Sequence, residues 1–489
     1  MKLKRFCAGL AALCMVCAVV PVLPVQESAV ISANAEDIEY TEGTYENLTY
    51  KKYTDYVEIS GVTDKENITA AVIPPEIDGL PVTVIANSAF NNCRSMVNVT
   101  IPESVVTIGE SAFADCSALV AVTIPSSVIS LPKAVFKDCS SLSSVKLPNT
   151  LLSIGNYIFS GCNNLIKITI PEKVTSIPNG AFQNCEGLMN ITLPEGLLRI
   201  GAMAFYNCTS LSKITIPDSV SAIETNILDG NNFFGAFQNC TSLTSITVPK
   251  SLTVLTESTF AGCTSLKHVT LPEELICIKQ KAFFNCTSLE TIEIPDSVMT
   301  IEGGYIDDAN VRGAFAKCTS LKNIILPPEL NAVEDATFWG CSELTEIQIP
   351  ESVSLISNVA FKKCNSLEKI EILNANCIII DDEYVISDTA VIYGHENSTA
   401  QEYAEKYNRK FALIGSEPKT EELKQGDADG NGEIDILDVI TLNKAILGKE
   451  NLSENGLKAI DFNGNGKPDS DEALTLLKYI VGIITDFNA

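Results

Sequence analysis

Ala112-Phe113-Ala114-Asp115-Cys116-Ser117-Ala118-Leu119-Val120-Ala121-Val122-Thr123-Ile124-Pro125 is one copy of a unit that fills most of this chain. Its phenylalanine belongs to a series at Phe90, Phe113, Phe136, Phe159, Phe182 and Phe205, each 23 residues after the last. The series resumes at Phe237, Phe260 and Phe283, and again at Phe315, Phe338 and Phe361, giving twelve copies. Three residues after each comes a cysteine, from Cys93 to Cys364, and three further on a leucine, with Met96 in the first copy. An alternating apolar stretch ending in proline follows, as in Val122-Thr123-Ile124-Pro125. A second short apolar stretch, such as Val105 to Ile108, leads into the next Ala-Phe.

A unit this short cannot bury its own apolar face, so neighbouring copies must stack. The alternating stretch has the period of a strand with one face inward, and its proline ends the ladder and turns the chain. Each copy therefore predicts one coil of a parallel, β-rich solenoid cored by Phe, Cys, Leu and Ile columns. The outward strand position reads Thr100, Thr123, Lys146, Thr169, Thr192, Thr215, Thr247 and Thr270, then Glu293, Ile325, Gln348 and Glu371. Threonine favours strands by itself, and the column holds no aromatic ring for a sugar to stack on.

Twelve of the seventeen cysteines belong to the repeat, Cys277 and Cys377 are extra, and Cys7, Cys14 and Cys17 lie in the N-terminal leader. Equivalent positions on adjacent coils run parallel at ~4.7–4.9 Å, wider than the ~3.8 Å preferred between disulfide-linked Cβ atoms. The expectation is a ladder of buried free thiols acting as small hydrophobes. One cysteine per coil does not converge on a point, which excludes a metal site there.

The unit A-F-x-x-C-x-x-L-x-x-I-x-I-P-x-S-V-x-x-I resembles the BspA-like leucine-rich repeat family over residues 60 to 415. Ile73-Pro74-Pro75-Glu76-Ile77-Asp78-Gly79-Leu80-Pro81-Val82 resembles that family's opening coil, and Ser398-Thr399-Ala400-Gln401-Glu402-Tyr403-Ala404 its closing helix. The resemblance implies a leucine-rich-repeat solenoid of about twelve coils, capped at both ends, and a role in adhesion or surface binding rather than catalysis.

Phe205 to Phe237 and Phe283 to Phe315 each span 32 residues, so two insertions of nine interrupt the register, near Glu224–Asn232 and Glu302–Asn310. Both precede Gly-Ala-Phe. Three coils separate them, which predicts loops on one edge about 14 Å apart at strand spacing. Thr259-Phe260 with Gly262-Cys263 matches Thr337-Phe338 with Gly340-Cys341, the mark of a duplicated three-coil block. Insertions often map to a binding face, but duplication yields equal lengths without a binding role, and tolerated surface loops are the simpler expectation.

Lys2, Lys4 and Arg5, the apolar run Phe6 to Val20, and Ala33-Asn34-Ala35 form an export signal with its cleavage site, so residues 1–35 are expected to be removed. No small residue precedes Cys14 or Cys17 as a lipoprotein signal would need. No later stretch is apolar for long enough to insert in a membrane, and the C-terminus lacks a sorting motif with a hydrophobic tail. A formal charge of −27 argues against nucleic acid, which needs clustered Lys and Arg, and against an anionic membrane surface. The expectation is a secreted, extracellular protein.

After the 36–415 solenoid, residues 416–425 read as a polar linker, and the remainder as a second domain, 426–489. Two twelve-residue stretches begin at Asp427 and Asp461, 34 residues apart. Calcium takes six to eight oxygens, and such a loop supplies them from positions 1, 3, 5, 7, 9 and 12 around a glycine at 6. In the first loop these are Asp427, Asp429, Asn431, Glu433, Asp435 and Asp438. In the second they are Asp461, Asn463, Asn465, Lys467, Asp469 and Glu472. Glu433 and Lys467 offer only backbone carbonyls. Two complete loops in tandem, each opening an apolar helix, are far more specific than one acidic turn. They predict two bound Ca2+ ions, helices over about Leu437–Leu447 and Glu472–Ile483, no good helix leading into either loop, and folding coupled to calcium.

Tandem loop–helix units of this spacing resemble type I dockerins, over Gly426 to about Phe487. That implies a small all-α module whose partner is a cohesin on the scaffold of a cellulosome-type complex degrading plant polysaccharide. Family contacts carry over to Ile436, Leu437, Asn443 and Lys444 in the first half, and to Ser470, Asp471, Leu477 and Lys478 in the second. The halves differ, so one dominant docking face is expected. Ile436-Leu437 either meets the partner or is buried within the module.

Dockerins often accompany glycoside hydrolases, which need two carboxylates at fixed separation across a cleft. Here the acids are scattered, every coil is explained by the repeat, and His268 and His395 are the only histidines. No nucleophile elbow, zinc-protease motif or phosphate loop stands in a fitting context. The expected function is a non-catalytic binding or adhesion arm for a polysaccharide, cell surface or protein. The alternative is a regulator or inhibitor binding a protein at the inserted loops, and a glycoside hydrolase comes last.

Overall fold

The computed structural model describes residues 39–228, 232–416, 424–429, 433–449 and 452–487. The expected leader and its Ala33-Asn34-Ala35 cleavage site, most of the linker, the tip of the first insertion and Asn431 lie outside the described residues. The chain is a β-solenoid of about 15 turns followed by a small helical module.

Two parallel ladders run along the solenoid in strict register. On one face the strand after the leucine pairs with its copy one coil on, as Lys167–Thr169 with Asn190–Thr192 and Ser245–Thr247 with His268–Thr270. On another face, two-residue strands such as Ser176–Ile177 and Arg199–Ile200 do the same. The inward residue of each strand is apolar and buried or nearly so, and the outward one is mostly exposed on the longer strands and half-buried on many of the two-residue ones.

Between the ladders lies the column that ties the coils together. All twelve phenylalanines are fully buried. Consecutive rings stack with centroids 5.0–5.8 Å apart and planes within 21° of parallel. Each such contact adds about 0.5–1.5 kcal/mol to the burial of the ring itself.

The cysteine column is a hydrogen-bonded one. Cys116 Sγ donates to Phe90 O of the preceding coil at 3.1 Å, and the same bond recurs through Cys208 to Phe182 O and on to Cys364. Each of these carbonyls also accepts the amide of the cysteine three residues on, as Phe90 O does from Cys93 N, so both lone pairs are used. The position thus needs a small apolar side chain carrying one weak donor, which only cysteine offers. All fourteen described cysteines are buried thiols outside any disulfide. Burial pushes the Cys139 and Cys185 thiols up to about 12, so the reactive thiolate is suppressed.

Both ends are capped. Helix α1 (Thr399–Lys406) closes the core, with Ser398 accepting Gln401 N, and buries Ala400, Tyr403 and Ala404. The opening cap reaches further than the repeat-like coil at 73–82. Strands Thr41–Tyr45, Leu48–Lys52 and Val57–Val62 form an antiparallel meander, and the last pairs in parallel with Leu80–Ile85. This shields the first coil's edge from further strand addition.

The insertions share one edge, as expected, but they touch rather than stand apart. The first forms a hairpin of Thr225–Leu228 with Asn232–Gly235, and the second a turn closed by a bridge between Tyr305 and Val311. The Arg312 guanidinium lies 5.9 Å from the centre of the Phe233 ring, spanning the three coils between the loop bases. Both insertions end on glycine because their backbone lies against the next coil: a Cβ on Gly235 would strike Ser258 O, and one on Gly313 would strike Ala336 O.

A closed ladder leaves the native thiols inert. In Ellman titration the folded protein should react at none of the fourteen, and the denatured protein at all of them; reaction in the folded state contradicts the ladder. Cys208→Ala, which strips Phe182 O of the thiol's bond and leaves only that of Cys185 N, and which opens a small void, should cost about 1–3 kcal/mol in denaturant unfolding.

Candidate calcium and docking site

The C-terminal module is built on α2 (Ile436–Ile446), α3 (Glu454–Ile460) and α4 (Ser470–Ile480). Val439 and Leu442 of α2 pack with Ala473 and Leu476 of α4 and with Ile460 of α3. Phe487 stacks on Phe462 at 4.6 Å and on Tyr479 at 4.2 Å, so the end of the module is held against the start of its second loop. Helices α2 and α4 fall where the sequence places them. Helix α3 corrects the expectation that neither loop has a helix leading into it: the second does. Its sequence, with Asn455 and Gly456, is a weak helix former, but Ser453 caps it by accepting Gly456 N.

Each loop ends in a capping box. Asp435 accepts Leu437 N at 2.6 Å and Asp438 accepts Asp435 N at 2.9 Å; Asp469 accepts Asp471 N and Glu472 N, and Glu472 accepts Asp469 N at 3.1 Å. Such boxes satisfy the first amides of a helix, and here they also fix the ninth and twelfth loop positions.

In the first loop, carboxylate oxygens of Asp427, Asp429 and Asp438 lie within 4.8 Å of one another. Asp438 is fully buried and accepts the amides of Ala428 and Asp429 at 2.8 and 3.2 Å. Its being Asp rather than Glu thus draws the start of the loop onto the helix. The Glu433 side chain is exposed.

In the second loop Asp461 accepts Asn465 N and Gly466 N, while Asn463 and Asn465 direct their Nδ2 groups to Asp469. The Lys467 side chain is exposed. Glu472 is 2% exposed, and its Oε1 has no hydrogen-bond partner. A buried carboxylate oxygen without a donor is costly, and burial pushes both the Glu472 and Asp438 carboxyls above the ordinary range. A divalent cation would resolve both tensions at once. The residues present fit calcium: hard oxygen donors, a glycine at the sixth position, and a buried acid at the twelfth.

The expected partner contacts are all on the surface. Ile436 and Leu437 are each 51% exposed, so the pair faces outward rather than into the module. Asn443, Lys444, Ser470, Asp471, Leu477 and Lys478 are exposed as well. The sequence reading missed four exposed apolar side chains beside them: Ile440 and Leu447 on and just after α2, and Leu474 and Val481 on and just after α4. Helical spacing held the signal, since Leu474, Leu477 and Val481 recur at i, i+3 and i+7. With the 34-residue offset, Ile440 matches Leu474, Lys444 matches Lys478 and Leu447 matches Val481. The halves differ at Ile436 against Ser470, Leu437 against Asp471 and Asn443 against Leu477.

Residues 64–189, 107–235, 234–307 and 311–392 match the family described as BspA type leucine rich repeat region, and residues 425–481 match the dockerin type I domain. Among solved structures, a leucine-rich repeat protein from Bacteroides ovatus is 27% identical, the match covering 77% of this chain and 98% of that one at a TM-score of 0.53. A leucine rich cell surface protein from Faecalibacterium prausnitzii is also 27% identical, over 68% of this chain and 94% of that one, at 0.48. No curated protein matches the chain. Among the described residues no helix is long and apolar enough to cross a membrane.

The orphan oxygen of Glu472 makes the second loop sensitive to one charge. Glu472→Gln should weaken calcium binding at that loop by on the order of tenfold or more, read by isothermal titration of the full chain. Unchanged affinity and stoichiometry would remove Glu472 from the ligand set.

Proposed function

Because the chain belongs to the BspA-type leucine-rich repeat family and carries a type I dockerin domain, we propose that it is a secreted, non-catalytic binding arm docked onto a cohesin. In this reading two calcium ions, held by the loops starting at Asp427 and Asp461, order the module. Ordering fixes the loop ends and thereby the exposed apolar residues on α2 and α4. The scaffold is that of a cellulosome-type complex, and the solenoid contributes to polysaccharide degradation by holding a ligand rather than by cleaving it.

One observation carries the docking reading: paired acidic loops, each capping a helix that exposes apolar side chains to solvent. Exposed apolar surface of this kind marks a partner site. Ile436 and Leu437 enlarge the apolar area on the α2 side, where the second half has Ser470 and Asp471, so docking through α2 should dominate. The non-catalytic reading is supported by the repeat itself, since every coil spends its side chains on stacking. His268 stands exposed on a strand, and His395 is tied through Nε2 to Leu373 O.

Capture by an immobilised cohesin should require calcium, fall to background in chelator, and be abolished by Asp427→Ala combined with Asp461→Ala. Ile440→Asp should weaken capture more than Leu474→Asp. Capture by the double alanine variant at the native level would sink the docking reading, and the reverse order of the two Asp variants would move the face to α4.

A further inference from the structure

The solenoid's C-terminal coils carry a surface that the repeat does not require. The position two residues after each column phenylalanine has positive φ in all twelve coils, a conformation that suits Gly, Asn and Asp. Ten coils comply, among them Asn184, Asn207, Gly262 and Gly340, but Lys317 and Lys363 do not, at φ 63° and 66°. Lys281, two residues before its phenylalanine, is at 59°, but there the repeat imposes positive φ on Ser, Ala, Tyr, Met and Val as well, so its conformation is that of the coil. Lys317 and Lys363 are thus held against the local preference that the other ten coils follow, and such strain tends to persist where a side chain has work to do.

These lysines are interleaved with aromatic rings along the edge that bears the insertions. Lys281 Nζ lies 5.4 Å and Lys317 Nζ 5.1 Å from the Phe284 ring centre, and Lys317 is 5.6 Å and Lys363 4.2 Å from that of Trp339. Arg312, over Phe233, continues the row. Among the described residues Lys281 and Lys317 form no ion pair, while Lys363 pairs with Asp308 of the second insertion at 3.2 Å, an exposed bridge that a ligand carboxylate can replace, on a chain of net charge −27. Burial and the charges of Arg312 and Lys317 lower the Lys281 pKa, so the cations repel one another. Trp339 is only 6% exposed, and its indole N–H has no acceptor.

We propose that this edge binds an acidic polysaccharide, a chain of uronate sugars whose carboxylates pair with Lys281, Lys317 and Lys363. The row advances with the coils, whose ring spacing here is 5.3–5.8 Å, so the ligand it fits is extended along the solenoid axis. Single-stranded nucleic acid would need free aromatic faces for its bases, and these rings are covered by the protein's own cations. A folded protein would need an apolar anchor pocket, and the rings here offer a cationic surface instead. The choice of carbohydrate among extended polyanions rests on the polysaccharide role proposed above.

The test is binding of the full chain to soluble polygalacturonate, by affinity electrophoresis and calorimetry, against Lys317→Asn with Lys363→Asn. Asparagine is what other coils carry at this position, so the variant should melt at the same temperature as the native chain or higher. The native chain should bind, more weakly as salt rises, and should ignore fully methyl-esterified polymer. The variant should bind about tenfold more weakly or worse while still capturing cohesin, which separates this inference from the docking reading. The inference is overturned if the native chain does not bind, if the variant binds equally, as calcium bridging would give, or if polyglutamate or single-stranded DNA binds as tightly.

Discussion

Each coil has only its two neighbours to pack against, so whatever it buries must be matched at the same place one coil away. That requirement produces the 23-residue period, the phenylalanine stack and the thiol ladder. A ring in the column is useful only if the next coil presents a parallel ring, and a cysteine bonds only if the preceding coil presents its phenylalanine carbonyl. The coils are held by many small terms in series rather than by cross-links. Buried thiols with raised pKa values also resist the oxidation that exposed ones would suffer. The same constraint frees the outward positions, which can vary from coil to coil without disturbing the core.

The two domains place charge in opposite ways. In the helical module, acids are gathered and partly buried, with a carboxylate oxygen of Glu472 left without a donor, an arrangement that a cation would stabilise. On the solenoid edge, lysines and an arginine are gathered over rings in a chain that is otherwise strongly acidic. The Glu472 oxygen has no donor, and among the described residues Lys281 and Lys317 form no ion pair, whereas Lys363 is paired with Asp308. The calcium-gated attachment and the anion-binding edge proposed above would make a protein whose work is to connect.

Much of this was legible in the sequence because its signals are local or strictly periodic. The columns, the ladder of the alternating strands, the closing helix and the pattern of the two acidic loops each follow from residues at fixed spacing. Three features were not. The meander over Thr41–Val62 has no repeat to announce it and is fixed by pairing with Leu80–Ile85. Helix α3 has poor propensity around Gly456 and exists because Ser453 caps it and Ile460 is buried against α2 and α4. The cationic edge is assembled from three different repeat positions on separate coils, so no window of sequence contains it. The loops around Arg312 and Phe233 meet for the same reason, through side chains that reach across coils rather than along the chain.

The central claim is that one end of this protein attaches while the other holds, without cleavage. The most direct measurement mixes the full chain, a soluble cohesin and insoluble plant polysaccharide, and follows cohesin in the pellet together with reducing ends in solution. The account predicts that cohesin sediments only when both the chain and calcium are present, with no sugar released. Cohesin remaining in the supernatant with calcium present, or reducing ends that accumulate with time, would contradict it.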